Sequence, residues 1–242
     1  TQKGRGYAPA EEKPNLFHGT GPFDIASGKP LQNPGKSYTC YFSQFMVERG
    51  AQEKRLTAIT AAMPDGTGLV DFADVYPARF FDVGIAEEHA FTFAAGLAQA
   101  GMRPVVAIYA TFLQRAYDQL LHDICLPNLP VVLAIDRAGL VGADGETHQG
   151  IYDIALLRSI PNLTVAMPAS GELLTAMLDQ ALQQKGPVAL RYPKGKVPQG
   201  IPMPDLAWGK GAWLRRLGEI AVLALGPMVE VAWEAANALQ RQ

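Results

Sequence analysis

Apolar residues in this chain gather in short runs separated by amphipathic stretches, and the spacing predicts alternating strands and helices. The run at 130–135, rich in Val and Leu, is the clearest buried strand. Others fall at 56–60, 80–84, 104–109, 163–167 and 188–192. These runs lack the regular polar alternation of a strand with one wet face. Between them the period changes. Leu174, Met177, Leu178, Ala181 and Leu182 recur at i, i+3, i+4, i+7 and i+8, predicting a helix over 172–183 that Gly186-Pro187 terminates. Helices are likewise expected at 38–49, 90–100 and 112–125. Strands spaced by helices imply an α/β fold, a parallel sheet with helices on both faces.

The ends of the chain differ in texture. Residues 1–36 carry Pro9, Pro14, Pro22, Pro30 and Pro34 without a sustained period, and read as an arm or connector. After a main domain at 37–195, a linker rich in proline and glycine spans 196–210. A strand at 218–226 and a helix at 229–239 then open what reads as a further α/β domain over 211–242, because one strand and one helix close no core of their own. With no initiator Met and no apolar signal core at its start, the chain reads as part of a longer protein.

Composition narrows the class. The 242 residues are 48% hydrophobic and 18% charged, with a net charge of -2. No basic footprint for nucleic acid is present, and the longest apolar stretch, 220–225, is too short to span a bilayer. Cys40 and Cys125 are spaced for neither a disulfide framework nor a zinc site and read as buried thiols of a reducing cytoplasm.

In a parallel sheet, chemistry collects beyond the C-terminal strand ends. Three polar clusters follow strands here. Glu87 and Glu88 follow 80–84; as acids in the first turn they complement the helix dipole. Phe81, Ile85, Phe91 and Phe93 are expected to desolvate the pair and favour a protonated carboxyl, which the helix N-terminus opposes. Tyr109 to Arg115 follow the next strand, with Tyr109 and Phe112 either core aromatics or pocket walls. The third segment, 136–150, holds four glycines, three acids, Arg137 and His148, and a loop this long in a compact domain is functional or disordered. Asp144, Glu146 and His148 alternate as metal ligands do, but a solvated turn at Asp144-Gly145 fits that sequence better. Arg137 and His148 fit an anion clamp and a proton donor. His89 and His122 read as structural.

The segments 84–97 (Gly-Ile-Ala-Glu-Glu-His-Ala-Phe-Thr-Phe-Ala-Ala-Gly-Leu), 110–119 and 136–150 (Asp-Arg-Ala-Gly-Leu-Val-Gly-Ala-Asp-Gly-Glu-Thr-His-Gln-Gly) resemble the 1-deoxy-D-xylulose-5-phosphate synthase family. So do 3–11 with Phe17-His18, and Arg191-Tyr192-Pro193-Lys194-Gly195. That family belongs to the transketolase-like thiamine-diphosphate enzymes, homodimers that condense pyruvate with D-glyceraldehyde 3-phosphate and release carbon dioxide. The resemblance implies that Glu87 activates thiamine diphosphate through a pyrimidine nitrogen. It further implies that Phe112 stacks on the aminopyrimidine, Arg115 joins the cofactor site and Tyr109 lines the substrate pocket. Arg137, Arg191 and Lys194 would bind substrate, and Asp144, His148 and His18 would hold or protonate it. The diphosphate and its Mg2+ are expected in a preceding domain whose Gly-Asp-Gly motif has no counterpart here, so no metal ligand is assigned.

Lys194 stands where many relatives carry Arg; it keeps the charge and loses the bidentate fork. Two other readings remain open: the pyrimidine domain of a transketolase or 2-oxoacid dehydrogenase, and a non-catalytic interaction module. The expected location is the cytoplasm, or a plastid in a plant-type organism.

Overall fold

The computed structural model describes residues 2, 4–14, 17, 21–31, 36–204, 206–216 and 219–240, and not the side chain of residue 143. Two compact units emerge, residues 1–36 and residues 37–242. The first contains a short helix, Ala8–Glu12, and an antiparallel bridge between Phe23 and Pro30. Its centre is aromatic: Phe17 meets Tyr7 edge-on at 5.6 Å and Phe23 at 5.1 Å.

The second unit is built on a parallel sheet whose strands are β1 (Leu56–Thr60), β2 (Phe80–Asp82), β3 (Arg103–Tyr109), β4 (Val132–Asp136), β5 (Thr164–Ala166) and β6 (Val188–Arg191). Their order is β2-β1-β3-β4-β6-β5, every pair parallel. The six strands expected within the main domain all form. Because β1 and β4 are buried along their whole length, successive residues feed two different cores. Ile59, Val106, Ile108, Leu133 and Ile135 face the helix Glu87–Gln99 and the segment 110–125. Ala58, Val105, Ala107, Val132 and Ala134 face the helices Tyr38–Gln52 and Gly171–Leu182. Both of the latter helices start on a serine cap, Ser37 Oγ accepting from Cys40 N (3.2 Å) and Ser170 Oγ from Leu173 N (3.1 Å).

Several expectations need correcting. The single helix expected over 112–125 is broken: an α turn at Ala110–Leu113, a tighter turn at Gln114–Ala116, and a π segment over Leu120–Cys125. The π segment closes through the long-step bond from Leu126 N to Leu121 O, ahead of Pro127. The strand expected at 218–226 does not form; the described residues 219–225 join no strand, with Leu223 97% exposed. Apolar residues favour a strand only where a neighbouring strand takes up their backbone hydrogen bonds, and none among the described residues pairs with them. Cys125 is buried as expected, its thiol pushed up to about 12 by desolvation, whereas Cys40 is exposed on the first turn of its helix. His89 and His122 are exposed too; His122 Nδ1 pairs with Asp123 at 2.9 Å. Among the described residues no helix is long and apolar enough to cross a membrane.

Candidate functional site

The strands deliver their polar residues to one edge of the sheet. At the end of β2, Asp82 Oδ1 accepts hydrogen bonds from Ala62 N (2.7 Å) and Gly84 N (3.0 Å), tying the exits of β1 and β2 together. Gly84 turns with φ +72°, and the helix Glu87–Gln99 begins three residues later. Glu87 opens that helix and is 2% exposed, while Glu88 is exposed. The apolar setting is provided by Phe91, buried, with Phe81 and Phe93 packed beside that core; Ile85, expected to join them, points outward at 82% exposure.

From Glu87 a continuous row of contacts crosses the strand ends. Arg115 Nη1 donates to Glu87 Oε1 at 2.5 Å, and the Arg115 guanidinium lies 4.8 Å from the centre of the Phe112 ring. Phe112 stacks on Tyr109 (5.6 Å, 16° between planes) and meets His148 edge-on at 5.3 Å. Tyr109 in turn lies beneath the Arg137 guanidinium, 3.6 Å from its ring centre. The Tyr109 hydroxyl is raised to about 12 by burial, with Arg137 opposing. Arg137 Nε donates to Asp144 Oδ2 (3.1 Å), and Lys194 Nζ to Asp144 Oδ1 (2.5 Å). Burial pushes the Asp144 carboxyl up, yet Lys194 and Arg137 outweigh it and leave it below its ordinary value.

Glu87, Arg115, Phe112, His148, Tyr109, Arg137, Asp144 and Lys194 therefore share one surface. Asp144 is not in a solvated turn: it is half-buried between two cations. Nor do the alternating residues of that loop converge, because His148 turns to Phe112 and Glu146 is exposed. Arg191 stands apart. Its fork grips Asp153 through Nε (2.6 Å) and Nη2 (3.3 Å), and Nη2 also donates to Gly150 O (3.0 Å). It thereby braces the base of the 137–150 loop, where Gly139 and Gly150 exchange backbone hydrogen bonds. His18 lies outside the described residues.

Three contributors escaped the sequence reading. The short helix Pro64–Thr67 after β1 places Gly66 O within 2.8 Å of Arg137 Nη1. A Cβ on Gly66 would overlap the Tyr109 hydroxyl, so the close approach requires glycine. Asp136 ends β4 fully buried, and Asp153 is the acid that Arg191 requires. An acid closing the apolar run 131–135 was the available signal for Asp136; nothing local marks Gly66 or Asp153.

A cavity lies elsewhere. It measures about 990 Å³ and is lined by Met167, Met177, Trp213, Leu223 and Trp233 among others. Its walls are mainly apolar and bring together no acid–base or stacked-ring arrangement like that along the strand ends.

A parallel sheet covered by helices on both faces, with polar residues gathered beyond its strand ends, defines an α/β domain of the doubly covered type. The family model of the transketolase pyrimidine-binding domain matches residues 35–199, and the chain belongs to that family. It is 54% identical over 235 residues to the 1-deoxy-D-xylulose-5-phosphate synthase of Lachnoclostridium phytofermentans, covering 96% of this chain and 38% of that protein. The corresponding synthase 1 of Geobacter metallireducens is also 54% identical, over 99% of this chain and 39% of its own length. The chain thus spans about two fifths of the curated relatives it matches. Among solved structures, a split-gene transketolase described as an inactive beta4 tetramer superposes with TM-score 0.76 and 33% identity, covering 86% of this chain and 68% of that one. Transketolase from Campylobacter jejuni shares the fold at TM-score 0.74 and 20% identity, over 85% of this chain and 34% of its own.

Proposed function

We propose that this chain forms the pyrimidine side of a thiamine-diphosphate site in an enzyme that condenses pyruvate with D-glyceraldehyde 3-phosphate and releases carbon dioxide. The observation that carries the reading is Glu87: a carboxylate 2% exposed, at the head of a helix, opening on the same surface as Phe112 and Arg137. The residues fit the pyrimidine. Arg115 engages Oε1 of Glu87, and no described residue donates to Oε2, which leaves that oxygen as an acceptor for a ring donor. When bound, the cofactor supplies the carbon nucleophile that attacks the keto group and the electron sink for decarboxylation.

The chain's own residues do the rest. Glu87 holds a proton at a pyrimidine nitrogen, Arg115 fixes the carboxylate, and Phe112 offers a ring face for the cofactor. Tyr109 borders the substrate side. Arg137 and Lys194 receive the phosphate of the aldehyde, while Asp144 and His148 hold its hydroxyls and exchange protons with it. Arg191 serves by bracing the loop that carries these groups. His18 belongs to the same reading by resemblance, on the arm 1–36. The diphosphate and Mg2+ fall to a preceding domain, residues 37–195 are the pyrimidine domain, 196–210 a linker and 211–242 the opening of a third domain. A homodimer in the cytoplasm completes the proposal.

Calorimetry on the polypeptide 1–242 is expected to show weak thiamine-diphosphate binding or none, because the charged end of the cofactor lacks its partner. Tight, magnesium-dependent binding would contradict the division of labour. With a diphosphate-binding domain supplied in trans, carbon dioxide release from pyruvate should depend on glyceraldehyde 3-phosphate. Turnover of ketose phosphates without pyruvate would place the chain with the transketolases instead.

A further inference from the structure

Arg137 is the most constrained cation of the site, and its constraint has two parts. Its backbone is left-handed, φ +59°, a conformation that L side chains with a Cβ adopt rarely. Its guanidinium is held between the Tyr109 ring, Gly66 O and Asp144. One residue touches both parts. Asp136 Oδ1 accepts from the Arg137 backbone N–H at 2.6 Å, and Oδ2 lies 3.6 Å from Arg137 Nη1 while accepting from Thr39 Oγ1 at 2.9 Å. Asp136 is fully buried and Asp144 is not, so the two acids on Arg137 differ in reach. An anion arriving at Arg137 and Lys194 competes with Asp144 for the same N–H groups, whereas it has no path to Asp136.

We propose that Asp136 is the positioning residue of the anion site, fixing both the left-handed backbone and the guanidinium of Arg137 so that the cation stays in place when a phosphate-bearing substrate occupies it. This rests on the reading of Arg137 as the phosphate-binding group. Asp136 touches no substrate in this scheme; it acts through Arg137. The groups facing it are Arg137 from its own strand end, Lys194 and Tyr192 from beyond β6, Tyr109 from β3 and Thr39 from the helix Tyr38–Gln52. Desolvation raises its carboxyl to about 6, against Arg137, Thr39 and Lys194, so the device titrates within an accessible pH range.

The test uses the chain 1–242 with arginine Nε–Hε signals observed by nitrogen-15 NMR, Arg137 assigned through Arg137→Lys, and inorganic phosphate as the probe. In the unaltered chain the Arg137 signal should exchange slowly, move with a midpoint near pH 6 and respond to phosphate. In Asp136→Asn it should merge with the exposed arginines, lose the pH response, and bind phosphate about tenfold more weakly. An Arg137 signal, phosphate affinity and pH profile all unchanged in Asp136→Asn would overturn the proposal. Should that variant not fold, the titration of the unaltered chain decides: movement near pH 6, shifted in Thr39→Val, supports it, and a flat profile overturns it. Failure of the unaltered chain to respond to phosphate counts against the anion-site reading alone, because the Asp136→Asn signal still reports whether Asp136 positions Arg137.

Discussion

Replacing Asp136 with asparagine should change how stability depends on pH, with a sign fixed by burial. The Asp136 carboxyl rises from the ordinary 3.8 to about 6, chiefly through desolvation that Arg137 offsets only in part. A raised folded value means the folded protein prefers the neutral acid. Its stabilising contribution is complete below the unfolded value near 4 and is lost as pH climbs through about 6. At about 1.4 kcal/mol per unit, the loss amounts to about 3 kcal/mol. Other acids run the opposite way. Glu53, held at about 2 by Arg55, and Asp144, held low by Lys194 and Arg137, lose their contributions in acid. The difference between the two proteins removes most of that background. Urea unfolding of the original chain and of Asp136→Asn, measured from pH 4 to pH 7.5, should show the original losing about 2.5 kcal/mol of that relative to the variant. A difference that stays flat, or grows in favour of the original as pH rises, would refute the assignment of a desolvated acid beneath Arg137.

Other consequences follow from single contacts. Gly66→Ala forces a methyl group into the Tyr109 hydroxyl and should destabilise by about 1–3 kcal/mol in chemical denaturation, while also shifting Tyr109 absorbance. Arg191→Lys loses the fork that grips Asp153, whose carboxylate is fully buried, and should cost about 3 kcal/mol with faster hydrogen exchange at Gly139 and Gly150. A thiol reagent should label Cys40 alone in the folded chain, and Cys125 only after unfolding, as read by mass spectrometry.

The sheet was legible because β1, β3 and β4 are apolar on both faces, leaving no alternation to misread, and the helix Gly171–Leu182 because its stripe is regular. Glu87 by position alone read as an acid complementing a helix dipole, and only the resemblance of 84–97 gave it a catalytic expectation. What could not be read were features that depend on residues far apart in the chain. The π segment over Leu120–Cys125 keeps an apolar face that an α-helix would also show. Arg191 reads as a substrate clamp until Asp153, 38 positions away, takes its fork. The stretch 219–225 carries a strand's composition, but composition cannot report whether a neighbouring strand is present. Ile85 follows the same logic: sequence proximity to Glu87 placed it among the apolar groups around the acid pair, and the turn at Gly84 sends it outward.

The central claim is that Glu87 serves the chemistry of a pyruvate-condensing thiamine enzyme. It is tested most directly by substituting residues 1–242 for the matching segment of the Lachnoclostridium phytofermentans relative. Carbon dioxide release from pyruvate with glyceraldehyde 3-phosphate is then measured, with and without Glu87→Gln. The account predicts an active hybrid whose turnover falls at least about a hundredfold in the Glu87→Gln form, with folding preserved by circular dichroism. A hybrid equally active in both forms, or one that uses ketose phosphates and ignores pyruvate, would contradict it.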